Sequence, residues 1–379
     1  MNHKINHANI KGWAANYDGE LFDGILCDPP YELGFMGKSW DSSGIAFDAE
    51  MWADILKLLK PGGHLLAFSG SRTYHRMAVA IEDAGFEIRD MIEWVYGSGF
   101  PKSLNIGKAV DKIQGNERTS VDNPNTRDRT KHNATTVFTS QEVTGWDSTK
   151  GTSPYEGYGT ALKPAHEPCV LARKPIEGTV ANNVLKHGTG GLNIDGTRVG
   201  TETMINQPGS TNDRLAMGNG WRKDAQPTIA TGRFPANLIH DGSDEVEAVF
   251  PNDNQRFFYT SKAPKSERNA GLEGFEEQIT NDGRKTDIDN AFQLGITERK
   301  NHHPTVKPLS LTKYLATMIK PPTGGRLLVP FSGSGSEMIG ALQAGWEYVE
   351  GVELTEEYIP IAEARIKYWT SQAVQEKLL

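Results

Sequence analysis

The chain has 379 residues, a formal net charge of −8, 40 Gly, 20 Pro and two Cys. That length can bury a large core, as one big domain or a catalytic domain with a smaller one. The glycines and prolines imply many turns and long loops, against helical repeats or coiled coils, and the well-separated Cys27 and Cys169 argue against a disulfide scaffold or thiolate metal cluster. The opening MNHKINHANIKGW has no apolar signal core, and no run reaches transmembrane length. A cytoplasmic protein without a membrane partner is therefore expected. The acidic total argues against a broad nucleic-acid coat, but local basic clusters such as Arg127, Arg129 and Lys131, or Lys262, Lys265 and Arg268, can still meet phosphates or simply face solvent.

In chain order, Lys4–Ala8 reads as a short strand and Asn9–Tyr17 as a brief helix or turn. Phe22–Cys27 is a buried strand, and Leu33–Phe47 a glycine-containing loop. Asp48–Lys60 is a helix capped by Asp48 and stopped at Pro61-Gly62-Gly63. A strand over His64–Phe68, a helix over Tyr74–Ala84 and a strand over Ile88–Val95 follow. This alternation predicts an α/β fold with a mostly parallel sheet. Periodicity then fails. A short helix over Asn105–Ile113, a strand over Cys169–Ala172, a helical turn over Ala181–Leu185 and a hairpin at Asp195-Gly196 punctuate a polar middle, with short ordered pieces at Phe234–His240 and Phe257–Thr260. Order returns with a helix in Val306–Lys320, a strand over Arg326–Val329 and a helix over Ser336–Ala344. A strand over Tyr348–Val352 and a last helix opening at Pro360 complete it. The simplest architecture is one sheet built from both ends of the chain, with the middle as an excursion.

Two strand ends carry chemistry. After Phe22–Cys27 come Asp28, Pro29, Pro30 and Tyr31. Asp28 can accept a hydrogen bond from an exocyclic amine, the Pro29 carbonyl can accept a second, and Tyr31 can stack on a base. Two acceptors would draw the amine lone pair out of the aromatic ring toward an incoming methyl group. The alternative is a capping Asp, a turn-forming proline pair and a packed Tyr. After Arg326–Val329 comes Phe331–Ser336, FSGSGS. Gly333 and Gly335 let the backbone approach a ligand, and Ser336 can cap the next helix, whose N-terminus favours a carboxylate or phosphate. The turn lacks the lysine of a P-loop. Glu353 ends the next strand, where a carboxylate can grip ribose hydroxyls. Read singly, the glycines are also compatible with a tight turn and Glu353 with a surface acid.

Together these motifs resemble the amino-group DNA methyltransferases that use S-adenosyl-L-methionine. Asp28–Tyr31 matches their DPPY motif and Phe331–Ser336 their FxGSGT motif, in the order of the beta class. The phrases LKPAHEP, GRFPANLIHDGS and RFFYTSKAPKSER look like the adenine-specific branch of bacteria and their phages. The resemblance implies a circularly permuted Rossmann-like methyltransferase sheet with an irregular central insert as target recognition region. Residues 1–112 would be the catalytic half, 113–300 the target recognition and loop region, partly packed on the sheet, and 301–379 the cofactor half. It implies catalytic roles for Asp28, Pro29, Pro30 and Tyr31. Cofactor binding would fall to Asn9, Asp28, His303, Thr305, Lys307, Phe331, Ser332, Gly333, Ser334, Gly335, Ser336 and Glu353. His303, Thr305 and Lys307 belong to HPTVKP, similar to the family segment that lines the methionine end of the cofactor; Lys307 can instead face solvent. Base or DNA contacts would come from Tyr31, Phe35, Trp40 and Lys102, although Phe35 and Trp40 can equally pack in their loop. The family's Asp before PF is Val329 here, its terminal Thr is Ser336, and its GD pair is Ala8-Asn9.

The implied activity is methylation of adenine N6 in double-stranded DNA, with cytosine N4 as the alternative target and a silent DNA-binding protein as the non-enzymatic one. RNA or a protein glutamine amide is disfavoured by motif order. A cognate restriction endonuclease and a monomer or homodimer are further implications. A catalytic metal is not expected, since methyl transfer from a sulfonium needs none.

Overall fold

The computed structural model describes residues 2–34, 39–97, 103–121, 148–206, 228–248, 257–281 and 296–376. The chain divides into two compact units. One comprises Met1–Ser98, Ala165–Ile279 and Glu298–Leu379; the other comprises Gly99–Pro164 and Thr280–Thr297.

The first unit is built on a sheet of nine strands among the described residues. They are β1 (Asn2–His7), β2 (Phe22–Cys27), β3 (Leu59–Phe68), β4 (Glu87–Val95), β5 (His166–Arg173), β6 (Leu238–His240), β7 (Phe258–Tyr259), β8 (Arg326–Val329) and β9 (Tyr348–Glu353). Their order is β1-β9-β8-β2-β3-β5-β4-β6-β7. Neighbours run parallel except at β5, which is antiparallel to both β3 and β4. The sheet is mixed and mostly parallel, as the alternating pattern predicts, but the middle of the chain adds strands to those from the two ends.

Central β2 is buried along its whole length, and its residues are apolar or glycine except for Asp23. Ile25 and Cys27 pack on one face with Met51, Trp52 and Ile55 of α2 (Ala49–Lys57) and Met77 and Ile81 of α3 (Tyr74–Asp83). Leu26 packs on the other face with α6 (Leu309–Met318) and α7 (Ser336–Gln343). Asp23 is a buried acid inside β2, and it ties the strands together. Its carboxylate accepts from Lys60 Nζ at 2.8 Å and from the Arg326 backbone N–H at 2.8 Å. Helix α1 (Ile10–Ala15) follows β1, and α8 (Ile359–Glu376) closes the chain.

Most bounds shift by a few residues, and the larger departures have physical reasons. Helix α2 ends at Lys57 rather than Lys60, because the Phe22 N–H donates to the Leu58 carbonyl and Leu59 already pairs with Phe22. Strand β3 therefore starts at Leu59 and takes in Pro61-Gly62-Gly63. No hairpin forms at Asp195-Gly196. Asn193 Oδ1 accepts from the Gly196 N–H, and the Asn193 N–H is tied to the Met318 carbonyl, so residues 195–197 close into a 3-10 turn. Val199–Asn206 pairs instead with Thr228–Arg233. Residues 113–300 also supply β5, β6 and β7 to the main sheet.

In the second unit, α4 (Ile106–Gln114) is capped by Asn105 Oδ1 on the Lys108 N–H. Buried Asp111 pairs with Arg118, which also holds Glu156 at 2.8 Å. Thr119–Val121 runs antiparallel to Ser148–Lys150. α5 (Val180–His187) belongs to the first unit, where Asn183 donates to the Pro61 carbonyl. No helix among the described residues is long and apolar enough to cross a membrane.

Candidate active site

Because β2 and β8 are parallel neighbours, Asp28 and the glycine turn emerge at one edge of the sheet. Strand β5 runs the other way, so its beginning lies at that same edge: Glu167 pairs with Trp94 near the end of β4. Lys307, just before α6, joins them. Its ammonium lies 2.6 Å from Asp28 Oδ2, 3.0 Å from Tyr31 Oη and 3.2 Å from Glu167 Oε2. It also sits 4.7 Å from the Phe68 ring centroid and 5.3 Å from that of Tyr31. The Tyr31 hydroxyl donates to Glu167 Oε2 at 3.0 Å. Thr73 Oγ1 donates to the Tyr31 carbonyl at 2.7 Å and fixes the backbone beyond the prolines. One oxygen is left over: Asp28 Oδ1 is buried and has no partner. A buried acceptor without a donor is costly and marks a place for one.

Burial raises the Asp28 pKa, and Lys307 pulls it back only in part. Burial works against the Lys307 ammonium, but Asp28 and Glu167 more than offset it and hold its pKa above the usual lysine value. For Glu167 burial is outweighed by Lys307, the Tyr31 hydroxyl and Lys262, so its pKa is lowered. Burial holds the Tyr31 phenol well above its usual value, and it stays neutral.

The glycine turn is built by backbone bonds. The Ser332 N–H donates to the Val352 carbonyl and the Gly335 N–H to the Ser332 carbonyl. Gly333 and Gly335 have φ of +48° and +81°, a region that disfavours side chains. Glu353 Oε2 accepts from the Gly333 N–H at 2.7 Å, and Oε1 from the Thr355 N–H at 2.8 Å. Fully buried Arg365 of α8 sits against the turn. Its Nη1 donates to the Ser334 carbonyl at 2.6 Å, to Ser334 Oγ at 3.0 Å and to Ser336 Oγ at 3.2 Å. Burial lowers its pKa to about 10. Ser336 is therefore not the helix cap that its position suggests: Gly335 occupies the cap, and the Ser336 hydroxyl serves Arg365 instead. Ser332 Oγ is buried without a partner. The His303 ring covers Gly333, where an added Cβ would lie 2.7 Å from Nε2. His303 Nδ1 bonds the Thr305 carbonyl, and burial lowers the imidazole to about 4, so it is neutral near pH 7.

Asn9 caps α1 with its side chain on the Lys11 N–H, next to Ala8, whose N–H donates to the Glu353 carbonyl. Phe331 packs part-buried on the α2 and α3 face. Lys307 does not face solvent; it sits on Asp28. Phe35, Lys102 and the side chain of Trp40 lie outside the described residues. Sequence reasoning missed Glu167, Glu337 and Arg365. Glu337 opens α7; burial, then Asp28, push its pKa up to about 7. The signal for Glu167 was an acid directly preceding an apolar run, which matters once that run enters the sheet reversed.

A family model of N6/N4 methyltransferases, described as DNA methylase, matches residues 22–364. The chain belongs to this DNA methylase family. Type II methyltransferase M.HindIII of Haemophilus influenzae is 26% identical over 148 residues, which is 38% of this chain and 37% of that protein. The putative methylase YubD of Escherichia coli is 40% identical over 65 residues, 17% of this chain and 28% of that protein. The matches thus span about a third of the length of these curated relatives. Among solved structures, the cytosine-N4-specific PvuII DNA methyltransferase is 12% identical with a TM-score of 0.47, over 98% of this chain and 91% of that one.

Proposed function

We propose that this DNA methylase transfers a methyl group from S-adenosyl-L-methionine to N6 of adenine in double-stranded DNA. The observation that carries the reading is Asp28 Oδ1, a buried acceptor without a donor, beside an aromatic ring and next to a glycine turn. The turn fits the cofactor: positive-φ glycines, a carboxylate at Glu353 and an unpartnered Ser332 hydroxyl give polar groups for a nucleoside with a charged amino-acid tail. Bound there, the cofactor supplies an electrophilic methyl group on a sulfonium.

The chain's own residues do the rest. Asp28 Oδ1 accepts one hydrogen of the target amine and the Pro29 carbonyl accepts the other, which frees the nitrogen lone pair from the ring. Tyr31, its hydroxyl anchored on both sides, gives the extruded base a rigid stacking face. Alignment and polarisation provide the rate. Residues 113–300 provide sequence reading and phosphate contacts. A cognate restriction endonuclease would cut the same sequence unmethylated.

Cytosine N4 is the second reading, because two acceptors on an exocyclic amine serve either base. Incubation with methyl-labelled cofactor and mixed-sequence duplex DNA, followed by digestion to nucleosides, tests both. Label in N6-methyl-2′-deoxyadenosine from the wild type and none from Asp28→Ala is expected. Label on cytosine moves the target. Cofactor uptake without label in any base overturns the enzymatic reading in favour of a silent DNA binder.

A further inference from the structure

We propose that Glu167 and Lys307 act as positioning residues that set the basicity of Asp28, Lys307 fixing one carboxylate oxygen and Glu167 cancelling the charge that Lys307 brings. This deepens the reading of Asp28 as the amine acceptor and rests on it.

Lysine has three donors and no acceptor. In this site two donors go to Asp28 Oδ2 and Tyr31 Oη, and the ammonium forms an ion pair with Glu167 Oε2 at 3.2 Å. The Tyr31 hydroxyl has one proton, and it goes to Glu167. Asp28 is therefore held through Oδ2 alone, and its orientation leaves Oδ1 for the substrate. The four residues come from the end of β2, the loop after it, the start of β5 and the approach to α6, so the arrangement is not a by-product of one local turn.

Turnover makes a demand on Asp28. At the amine nitrogen an N–CH3 bond forms while the S–CH3 bond of the sulfonium breaks to a neutral thioether, and the nitrogen must lose one proton. Asp28 Oδ1 is the group in place to take it, releasing it to water when product leaves. A lysine against Asp28 would by itself make the carboxylate a poorer base and resist that transfer. Glu167 on the far side of the same ammonium reverses this. With Lys307 charged, Tyr31 neutral and both carboxylates ionised, the cluster carries one net negative charge, which becomes zero when Asp28 is protonated. The directions agree: Lys307 lowers and Glu167 raises the Asp28 pKa. Other titratable groups facing Asp28 are Glu337 at the start of α7 and the thiols of Cys27 and Cys169. Burial raises both thiols, which stay neutral. Glu337 titrates near neutrality and must be separated from Asp28.

The test is a carbon-13 carboxyl titration of the full-length ligand-free protein labelled at aspartate, with the Asp28 signal assigned by its loss in Asp28→Asn. A Glu337→Gln background removes that group's own titration. Glu167→Gln, whose amide oxygen can still accept from Tyr31, should lower the Asp28 midpoint by about half a unit or more. Lys307→Met should raise it by about one unit or more, the range expected for loss of an adjacent cation. Single-turnover methylation of duplex DNA should show its acidic limb moving in the same two directions. If Lys307→Met does not fold, Lys307→Arg replaces it. It keeps the charge and should leave the midpoint within about 0.3 unit, below the smallest shift expected from a lost charge. No shift in Glu167→Gln, or a shift of the same sign in Glu167→Gln and Lys307→Met, overturns the proposal. Absence of methylation by the wild type would defeat the functional reading, while the carboxyl titration would still decide this one.

Discussion

Asp28 and Glu353 both stand at the edge where parallel strands end, yet they are held in opposite ways. Glu353 is fixed by backbone: each of its oxygens takes an N–H, from Gly333 and from Thr355. Asp28 is fixed by a side chain on one oxygen and by nothing on the other. Burial raises both. The difference separates a carboxylate that shapes the glycine turn from one that keeps an oxygen open. Backbone donors cannot rearrange without moving a strand; an ammonium on a flexible stem can.

The sharpest way to break this comparison is Asp28→Asn. Methylation should fall at least about a thousandfold, the scale of losing a group that acts on the reacting atoms. Cofactor affinity, read by calorimetry, should stay near wild type; loss of cofactor binding instead would make Asp28 the scaffold. Glu353→Gln should do the reverse. One of its two amide contacts becomes an NH2 facing an N–H, so cofactor affinity should drop about tenfold and stability by about 1–3 kcal/mol, read by titration and by urea unfolding, with the rate at saturation little changed.

Glu337 extends the contrast to a buried acid with an elevated pKa. Its folded-state value of about 7 lies above the ordinary 4.5, so its contribution to stability is full below pH 4.5 and disappears as pH rises through 7. Glu337→Gln should therefore raise Tm relative to wild type at pH 8 and bring no gain at pH 4.5; a gain equal at both pH values would contradict the assignment. The smallest effect belongs to Asn9→Ala. Asn9 caps α1 beside the Glu353 strand end, and its loss should cost about 1 kcal/mol by urea unfolding. A drop in cofactor affinity beyond that would support Asn9 as a cofactor contact.

Strands β2 and β8 could be read to the residue, because their apolar cores Ile25–Cys27 and Leu327–Val329 end sharply at Asp28 and Pro330. The start of β3 could not: Leu58 and Leu59 fit a helical stripe equally well, and only pairing with Phe22 decides between them. Glu167 was hidden because direction within a sheet is not written in a strand's own composition. Arg365 was hidden because arginine on an amphipathic helix reads as a solvent-facing residue, while its partners Ser334 and Ser336 lie on another element. Lys307 was visible as a site residue, but its partner was not, since the contact with Asp28 joins segments from opposite ends of the chain.

The reversed strand β5 has one more consequence. Val95 pairs with His166, and the Tyr96 N–H donates to the Ala165 carbonyl, so the chain leaves β4 and re-enters β5 at touching residues. For the sheet, the length of the connection between these residues is of little account, because lengthening a closed loop costs little entropy. An insertion between residues 96 and 165 would therefore leave the strands that carry Asp28 and Glu167 in register.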